Sequence, residues 1–308
     1  MSRTTFDIVA LGEPLYEFNQ QPDGRWLGGF GGDTSNVAIA AARLGARVAF
    51  VTRLGDDVFA QEIAGLWKRE GVDTSAVAIE AAGSTGLYFV THDANGHHFT
   101  YRRAKSASSL MTPQDVPPPL VASAKYLHVS GISQAISSSA AQTVRQAIAL
   151  AVTSGVKISF DTNFRSRLWS AAAAREEIAF AAAHAAIFKT SADDCAALYD
   201  EHEPAAISRR FLAYGSGIVL VTLGAAGVHV ATPKESATIA GAQVDAVDAT
   251  GAGDAFTGAL LAELCRSAEL FHAVRFANAA AALSTLGYGA IAPLPRRATV
   301  ETLIGDSP

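Results

Sequence analysis

The sequence predicts an α/β fold with a doubly wound, mostly parallel sheet and a small β lid. Three observations predict it. Short apolar strand-like runs alternate with helical stretches along nearly the whole chain, the rhythm that builds βαβ units. Two of the helical stretches are closed by a glycine, Gly45 and Gly71. Two segments, at about 14–31 and 85–104, break the rhythm with strand patterns around turn residues.

Taken in order, "FDIVALG" (Phe6 to Gly12) reads as a buried strand, "TSNVAIAAARLG" (Thr34 to Gly45) as a helix, and "RVAFVTRLG" as the next strand. Together they make one βαβ unit. "DDVFAQEIAGLWKREG" continues as a helix and "KYLHVSG" as a strand, followed by the helix "AQTVRQAIALAVTSG" and the strand "VKISFDTN". "AAAAREEIAFAAAHAAIF" is a helix leading into a strand, and "GIVLVTLG" is the last strand before the C-terminal helices. Outside this rhythm, "GLYFVTHDANGHHFTYRR" (Gly86 to Arg103) alternates around Asn95-Gly96, a pair suited to a tight hairpin turn. "EFNQQPDGRWLGGFGG" (Glu17 to Gly32) carries a second turn signal at Pro22-Asp23-Gly24. These strand pairs either extend the sheet or cover a site as a lid. "TPQDVPPPL" (Thr112 to Leu120) reads as a plain connector. With no strong linker, residues 1–308 form one domain with a β appendage, whose exposed edges also suit a homo-oligomer contact.

Bulk properties narrow the function. At 308 residues and 49% hydrophobic, the chain can bury a large core. A net charge of -5 leaves no basic field to neutralise nucleic acid, so a small molecule is the expected partner. Cys195 and Cys265 are the two cysteines, too few for a disulfide framework or a cysteine zinc site. No apolar run reaches a membrane-spanning length, and "MSRTTFDIVALG" has no signal core. The expectation is a soluble cytoplasmic protein.

The chemistry concentrates in "DATGAGDAFTGALLAEL", Asp248 to Leu264. Gly251, Ala252 and Gly253 leave successive backbone N–H groups free to turn toward one point at a helix N-terminus, where the helix dipole favours an anion such as a phosphate. Asp254 beside such a phosphate would be repelled unless it had separate work. Accepting the proton of an attacking hydroxyl is such work. An ordinary helix start with an acid in its first turn is the competing reading. No Gly-Lys pair occurs in the chain, which excludes a Walker A loop, and no Gly-x-Gly-x-x-Gly follows the first strand. His-Glu-x-x-His and Gly-x-Ser-x-Gly are absent too.

"DATGAGDAF", "GGFGGDTSNVAIAAARLGARVAFVTRLGDDVFAQ" and "LVTLGAAGV" together resemble the PfkB or ribokinase-like carbohydrate kinases over nearly the whole chain. The resemblance implies a ribokinase-like fold and magnesium-dependent transfer of the ATP γ-phosphate to a sugar hydroxyl. Asp254 resembles the general base, and Gly251, Ala252 and Gly253 the anion hole. At the substrate end, "GGDTSN" offers Gly32 for close backbone approach and Asp33 and Asn36 for sugar hydroxyls, or a helix start capped by Asp33, Thr34 or Ser35. Tyr88 on the lid, with Tyr101 and Arg103 sharing one strand face, supplies an aromatic wall and a cation, and Arg165 in "SFDTNFRSRLW" could clamp a carboxylate or phosphate. Arg102 reads as solvent-facing, and Arg167 as facing solvent or an acidic neighbour.

"TGLYFV", "YRR", "HVSGISQAIS" and "DTNFRSRLW" resemble 2-keto-3-deoxygluconate kinases within the family. That implies a sugar-acid substrate phosphorylated to its 6-phosphate and met by Tyr88, Tyr101, Arg103 and Arg165, with Asn163, Phe164 and Arg165 also near the nucleotide phosphates. Fructokinase is the alternative, and a non-catalytic sugar-binding regulator the alternative of another class. For ATP, Thr222, Gly224 and Gly227 of "TLGAAGV" leave room for phosphates, and Asn278 could face the adenine. Where relatives usually carry Asn-x-x-Glu to organise Mg2+-bound water, this chain has "SADD", so Ser191 and Asp194 stand in.

Overall fold

The computed structural model describes residues 5–93 and 96–305, so Asn95 of the expected hairpin turn lies outside the described residues. Strand β1 (Phe6–Leu11) leads to β2 (Leu15–Gln20), β3 (Trp26–Gly31), α1 (Asp33–Arg43), β4 (Val48–Gly55), α2 (Val58–Glu70) and β5 (Asp73–Glu80). Next come β6 (Gly86–Asp93), β7 (Gly96–Arg102), α3 (Pro118–Ala122), β8 (Ala124–Ser130), α4 (Gly131–Ala135), α5 (Ser138–Ser154) and β9 (Lys157–Asp161). The chain continues through α6 (Ala171–Ala182), β10 (Ile187–Ser191), α7 (Ala192–Tyr199), α8 (Pro204–Tyr214), β11 (Ile218–Thr222), β12 (Val228–Ala231) and β13 (Ser236–Ile239). It closes with α9 (Ala252–Cys265), α10 (Leu270–Ser284) and α11 (Arg297–Ile304).

The described residues form a large sheet in the order β13-β12-β11-β10-β9-β8-β1-β4-β5. Its pairings are parallel from β5 to β11, while β12 and β13 add antiparallel to one edge. Central strands such as β1 are apolar without alternation because helices cover both faces. Ile8 and Ala10 of β1 pack with α1, α2, α9 and α10, in a core that contains Phe50, Trp67, Phe256 and Phe276. Val9 and Leu11 point the other way, into a core with α5, α6 and α8 around Phe160, Phe188 and Phe211. The doubly wound sheet is therefore present, with a hydrophobic core on each face.

Strands β2, β3, β6 and β7 form a separate small sheet in the order β3-β2-β6-β7. Both expected strand pairs are there as antiparallel partners, and they join through a parallel β2–β6 pairing. One face carries Leu15, Tyr88 and Val90. The other stacks Phe18 on Phe89 and sets Tyr16 against Phe59 of α2, with ring centroids 5.3 and 5.0 Å apart.

Two local readings need correction. The connector at Thr112–Leu120 is partly helical, with a short 3-10 turn at Pro113–Asp115 followed by α3. Proline at the first helical positions presets φ there and loses no hydrogen bond. Helix α1 is capped not by Asp33, Thr34 or Ser35 but by Gly32, at φ +97° and with no side-chain cap. A Cβ at Gly32 would lie 2.2 Å from the Glu13 carbonyl oxygen, so only glycine brings α1 this close to the β1–β2 connection.

Candidate active site

The carboxyl ends of β1, β9, β10 and β11 open into a cavity of ≈ 1080 Å³, the place where open α/β sheets hold ligands. The N-termini of α9, α1 and α7 all reach it. Gly251 caps α9 at φ +77°. A side chain there would strike Ala290, with Cβ atoms 2.8 Å apart. Ala252, Gly253 and Asp254 form the first turn, and all four residues line the cavity. From α1, Asp33 and Asn36 face the same space. Asn36 Nδ2 donates to Asp254 Oδ2 at 2.7 Å, and Asn163 Nδ2 donates to Asp33 Oδ2 at 3.1 Å. Gly32, Asp33, Asn36, Asn163 and the Gly251–Asp254 turn, scattered over some two hundred positions, are thus brought together.

Burial pushes the Asp254 carboxyl up to about 7, repulsion from Asp33 adds to the rise, and the Asn36 hydrogen bond opposes it. Asp33 is raised too, chiefly by burial. An acid poised near neutrality within reach of a cavity is suited to exchange a proton with a bound hydroxyl.

Four buried charged groups beside these were not singled out from the sequence. Lys189 and Asp161 are direct partners in the β9–β10 register, and Lys189 Nζ donates to Asp161 Oδ2 at 2.6 Å. Burial disfavours the lysine's charge, yet Asp161, Asp254 and Asp194 outweigh it and hold its pKa above the ordinary value. Glu13 pairs with Arg103 and accepts from Ser106 Oγ at 2.5 Å. Glu17 accepts the Tyr88 hydroxyl hydrogen bond. The lysine had a signal, a cation inside the strand-like run "IFKTS". The two glutamates had none, because their partners lie some seventy to ninety residues away.

Tyr88, Tyr101 and Arg103 all line the cavity, with the two tyrosine rings stacked at 5.8 Å. Arg103 is not the free cation expected from the sequence, since the chain itself supplies its carboxylate, Glu13. Arg165 is exposed at the cavity wall and donates to the Phe164 carbonyl at 2.9 Å, with no ion pair among the described residues. Arg167 lines the cavity as well and donates to the Phe99 carbonyl at 3.4 Å.

On the far side, Thr222 and Gly224 line the same cavity. Gly227 does not; at φ +104° it packs against the end of β13, where a Cβ would lie 2.1 Å from the Ile239 carbonyl oxygen. Asn278 lies apart from the main cavity, on a second one of ≈ 370 Å³, and its Nδ2 donates to the Ile239 and Ala240 carbonyls at 3.3 and 3.1 Å. It braces the exit of β13 against α10. Ser191 caps α7 through the Asp194 N–H at 3.0 Å, while Asp194 Oδ2 accepts from Thr162 Oγ1 and the Phe164 N–H at 2.8 and 3.1 Å.

A model described as the pfkB family carbohydrate kinase matches residues 6–297. The chain belongs to that family. It is an ATP-dependent sugar kinase, and the ribokinase-like fold is the one its solved neighbours share. This pfkB kinase is 36% identical to fructokinase-2 of Solanum habrochaites, over 96% of its own length and 95% of the relative's. Fructokinase of Xylella fastidiosa, solved with bound ATP, is 26% identical with a TM-score of 0.89, covering 97% of this chain and 98% of that one. Fructokinase of Vibrio cholerae O395, solved with fructose, ADP and calcium, is 29% identical with a TM-score of 0.86, over 97% and 99%. Among the described residues, no helix is long and apolar enough to cross a membrane.

Proposed function

We propose that this pfkB kinase phosphorylates a neutral ketohexose, with fructose the acceptor to test first. The observation that carries the acceptor class is the Glu13–Arg103 pair, which leaves the cation nearest the two tyrosines already matched. A sugar carboxylate there would meet a neutralised site and the neighbouring carboxyls of Asp33 and Asp254. Neutral hydroxyls meet hydrogen-bonding partners instead, in Asp33 and Asn36. The names of the relatives support the same acceptor. The expected resemblance to 2-keto-3-deoxygluconate kinases gives way on these grounds, and a sugar acid stays as a second reading on one observation, the unpaired Arg165 at the cavity wall.

Asp254 takes the proton of the acceptor hydroxyl, and Asn36 holds its carboxylate toward that hydroxyl. The N–H groups of Gly251 and Gly253 receive the transferred phosphoryl group, aided by the α9 dipole, while the Ala252 N–H is held by the Ala249 carbonyl at 3.1 Å. Thr222 and Gly224 border the room for the remaining phosphates. The donor set also fits a phosphate-bound cation: Asp194 lines the cavity and engages only Oδ2 in hydrogen bonds among the described residues, which leaves Oδ1 for a water of bound Mg2+. Such a cation supplies charge neutralisation at the phosphate oxygens.

The test is ADP release from ATP with fructose, other neutral hexoses and 2-keto-3-deoxygluconate. Fructose is expected to give the highest kcat/KM. A sugar acid turned over about 10-fold better, worth about 1.4 kcal/mol at the transition state, would put the second reading in its place.

A further inference from the structure

We propose that Arg43 is a positioning residue for the transfer step: its guanidinium fixes the chain between α10 and α11, and through Ala290 it sets where the Gly251 and Gly253 N–H groups stand. The proposal rests on the reading of Asp254 and the α9 turn as the place of transfer, and not on which sugar is accepted.

Arg43 ends α1 and does not line the cavity. Asn36 stands about two turns earlier on the same helix, so both side chains leave one face of it. At its start this face meets Asp254 through Asn36. At its end it meets residues 286–296, which belong to no helix or strand.

Arg43 Nη1 donates to the Ile291 and Leu294 carbonyls at 2.8 and 2.9 Å. The other edge of the guanidinium forks onto Glu70, the last residue of α2, with Nε to Oε2 at 3.0 Å and Nη2 to Oε1 at 2.8 Å. The two side chains are only 11% and 9% exposed. One side chain thus ties the segment to α1 and α2 together.

Next to Ile291, Ala290 backs the turn at the start of α9. A Cβ placed on Gly251 would lie 2.8 Å from Ala290 Cβ and 3.0 Å from its Cα, so no space separates the two residues. The Gly289 N–H donates to Asp248 Oδ2 at 2.9 Å, and Asp248 Oδ1 accepts from the Thr250 N–H at 2.9 Å. The segment therefore supports the approach to the turn as well as Gly251. At the far end Gly253 lies against Lys189, with 3.2 Å from Nζ to a Cβ placed there. A shift of residues 289–291 carries the Gly251 N–H with it.

What the buried arginine supplies is geometry more than stability, because desolvation of two charges offsets most of the attraction in a buried ion pair. A planar fork holds two carbonyls on one edge and a carboxylate on the other at the same time. The compact ammonium of a lysine cannot. Placement matters to the rate, since a receiving group displaced by about 1 Å can cost about 100-fold.

Arg43→Lys keeps the charge and loses the fork, and Arg43→Met/Glu70→Met removes both charges so that neither is left buried alone. With ATP and the sugar turned over best, each is expected to lower kcat about 10-fold while KM for the sugar stays within about 2-fold of wild type. Assays well below the melting temperature of each variant make the loss one of placement and not of unfolding. The pH profile separates this role from a general loosening of α1. Asp254 is faced by Asp33 from α1, Asp161 from β9 and Lys189 from β10, with neutral Asn36 bonded to it, and Arg43 is not among them. The acid limb of kcat/KM should therefore stay in place. A limb moved to higher pH would mean that Asn36 had left Asp254, and would overturn the route through Ala290. Ala290→Gly tests that route directly by removing the Cβ on which Gly251 rests. It should lower kcat, and joined to Arg43→Lys it should lower kcat no further than Arg43→Lys alone, because both act on one turn. Additive losses, or a folded Arg43→Lys enzyme with kcat within about 2-fold of wild type, overturn the role of Arg43. Active Asp254→Asn enzyme would instead remove the transfer site on which the proposal stands.

Discussion

Asp254 combines burial, a like charge at Asp33 and one hydrogen bond from Asn36, and the balance leaves its pKa at about 7 against an ordinary 3.8. As a base it acts only when ionised, so kcat/KM is expected to fall as the pH drops through about 7. Asn36→Ala removes a hydrogen bond to the charged form, and the acid limb should move to higher pH. Asp254→Asn should lower kcat by about 100-fold or more with nucleotide affinity little changed. Stability carries the opposite sign. With a raised folded pKa, the native state holds a proton that the unfolded chain has released, so stability is full below about 4 and is lost as the pH rises through 7. Asp254→Asn should therefore melt above wild type at pH 8, with the gap closing toward pH 4. A gap independent of pH in thermal melts would contradict the shift. An acid at a helix start is legible as a motif, but its pKa is not, because Asp33 and Asn36 precede it by more than two hundred positions.

At the scale of elements, the site depends on how closely α1 and α9 approach. Gly258 sits where they cross, and a Cβ there would lie 2.6 Å from Ala40 Cβ and 2.7 Å from the Val37 carbonyl oxygen. Neither neighbour is a flexible chain end, so the helices must part. Gly258→Ala is expected to destabilise by about 1–3 kcal/mol, as overpacking does, and to lower kcat by loosening the Asn36–Asp254 bond. Denaturant unfolding and steady-state kinetics on the same variant check both halves. Full stability with full activity would show that the crossing does not position the site. The glycine stands in the sequence as part of "AFTGALL", where nothing marks it apart from any helical glycine; what it meets is decided by the partner helix.

For the molecule as a whole, the small sheet is joined to the large one near Glu13 and Arg103, and this buried pair, with Ser106, holds both connections at one point. We propose that the sheet closes over bound sugar through Tyr88 and Tyr101. Amide exchange in β6 and β7 should then slow by about 10-fold or more at saturating sugar, the two strands acting as one unit of low local stability. Exchange unchanged by sugar would leave the sheet a fixed wall. The sequence by itself determined the alternation of strands and helices, both strand pairs of the small sheet, the glycine-rich turn before Asp254 and the family that these imply, because periodicity, turn chemistry and contiguous motifs are local. Only the tertiary structure decided that Arg103 belongs to Glu13, that Lys189 lies against Gly253, that Asn278 braces β13 and that Asp254 titrates near neutrality. Each of those depends on which charges and carbonyls meet across long stretches of chain, and on how much water is left between them.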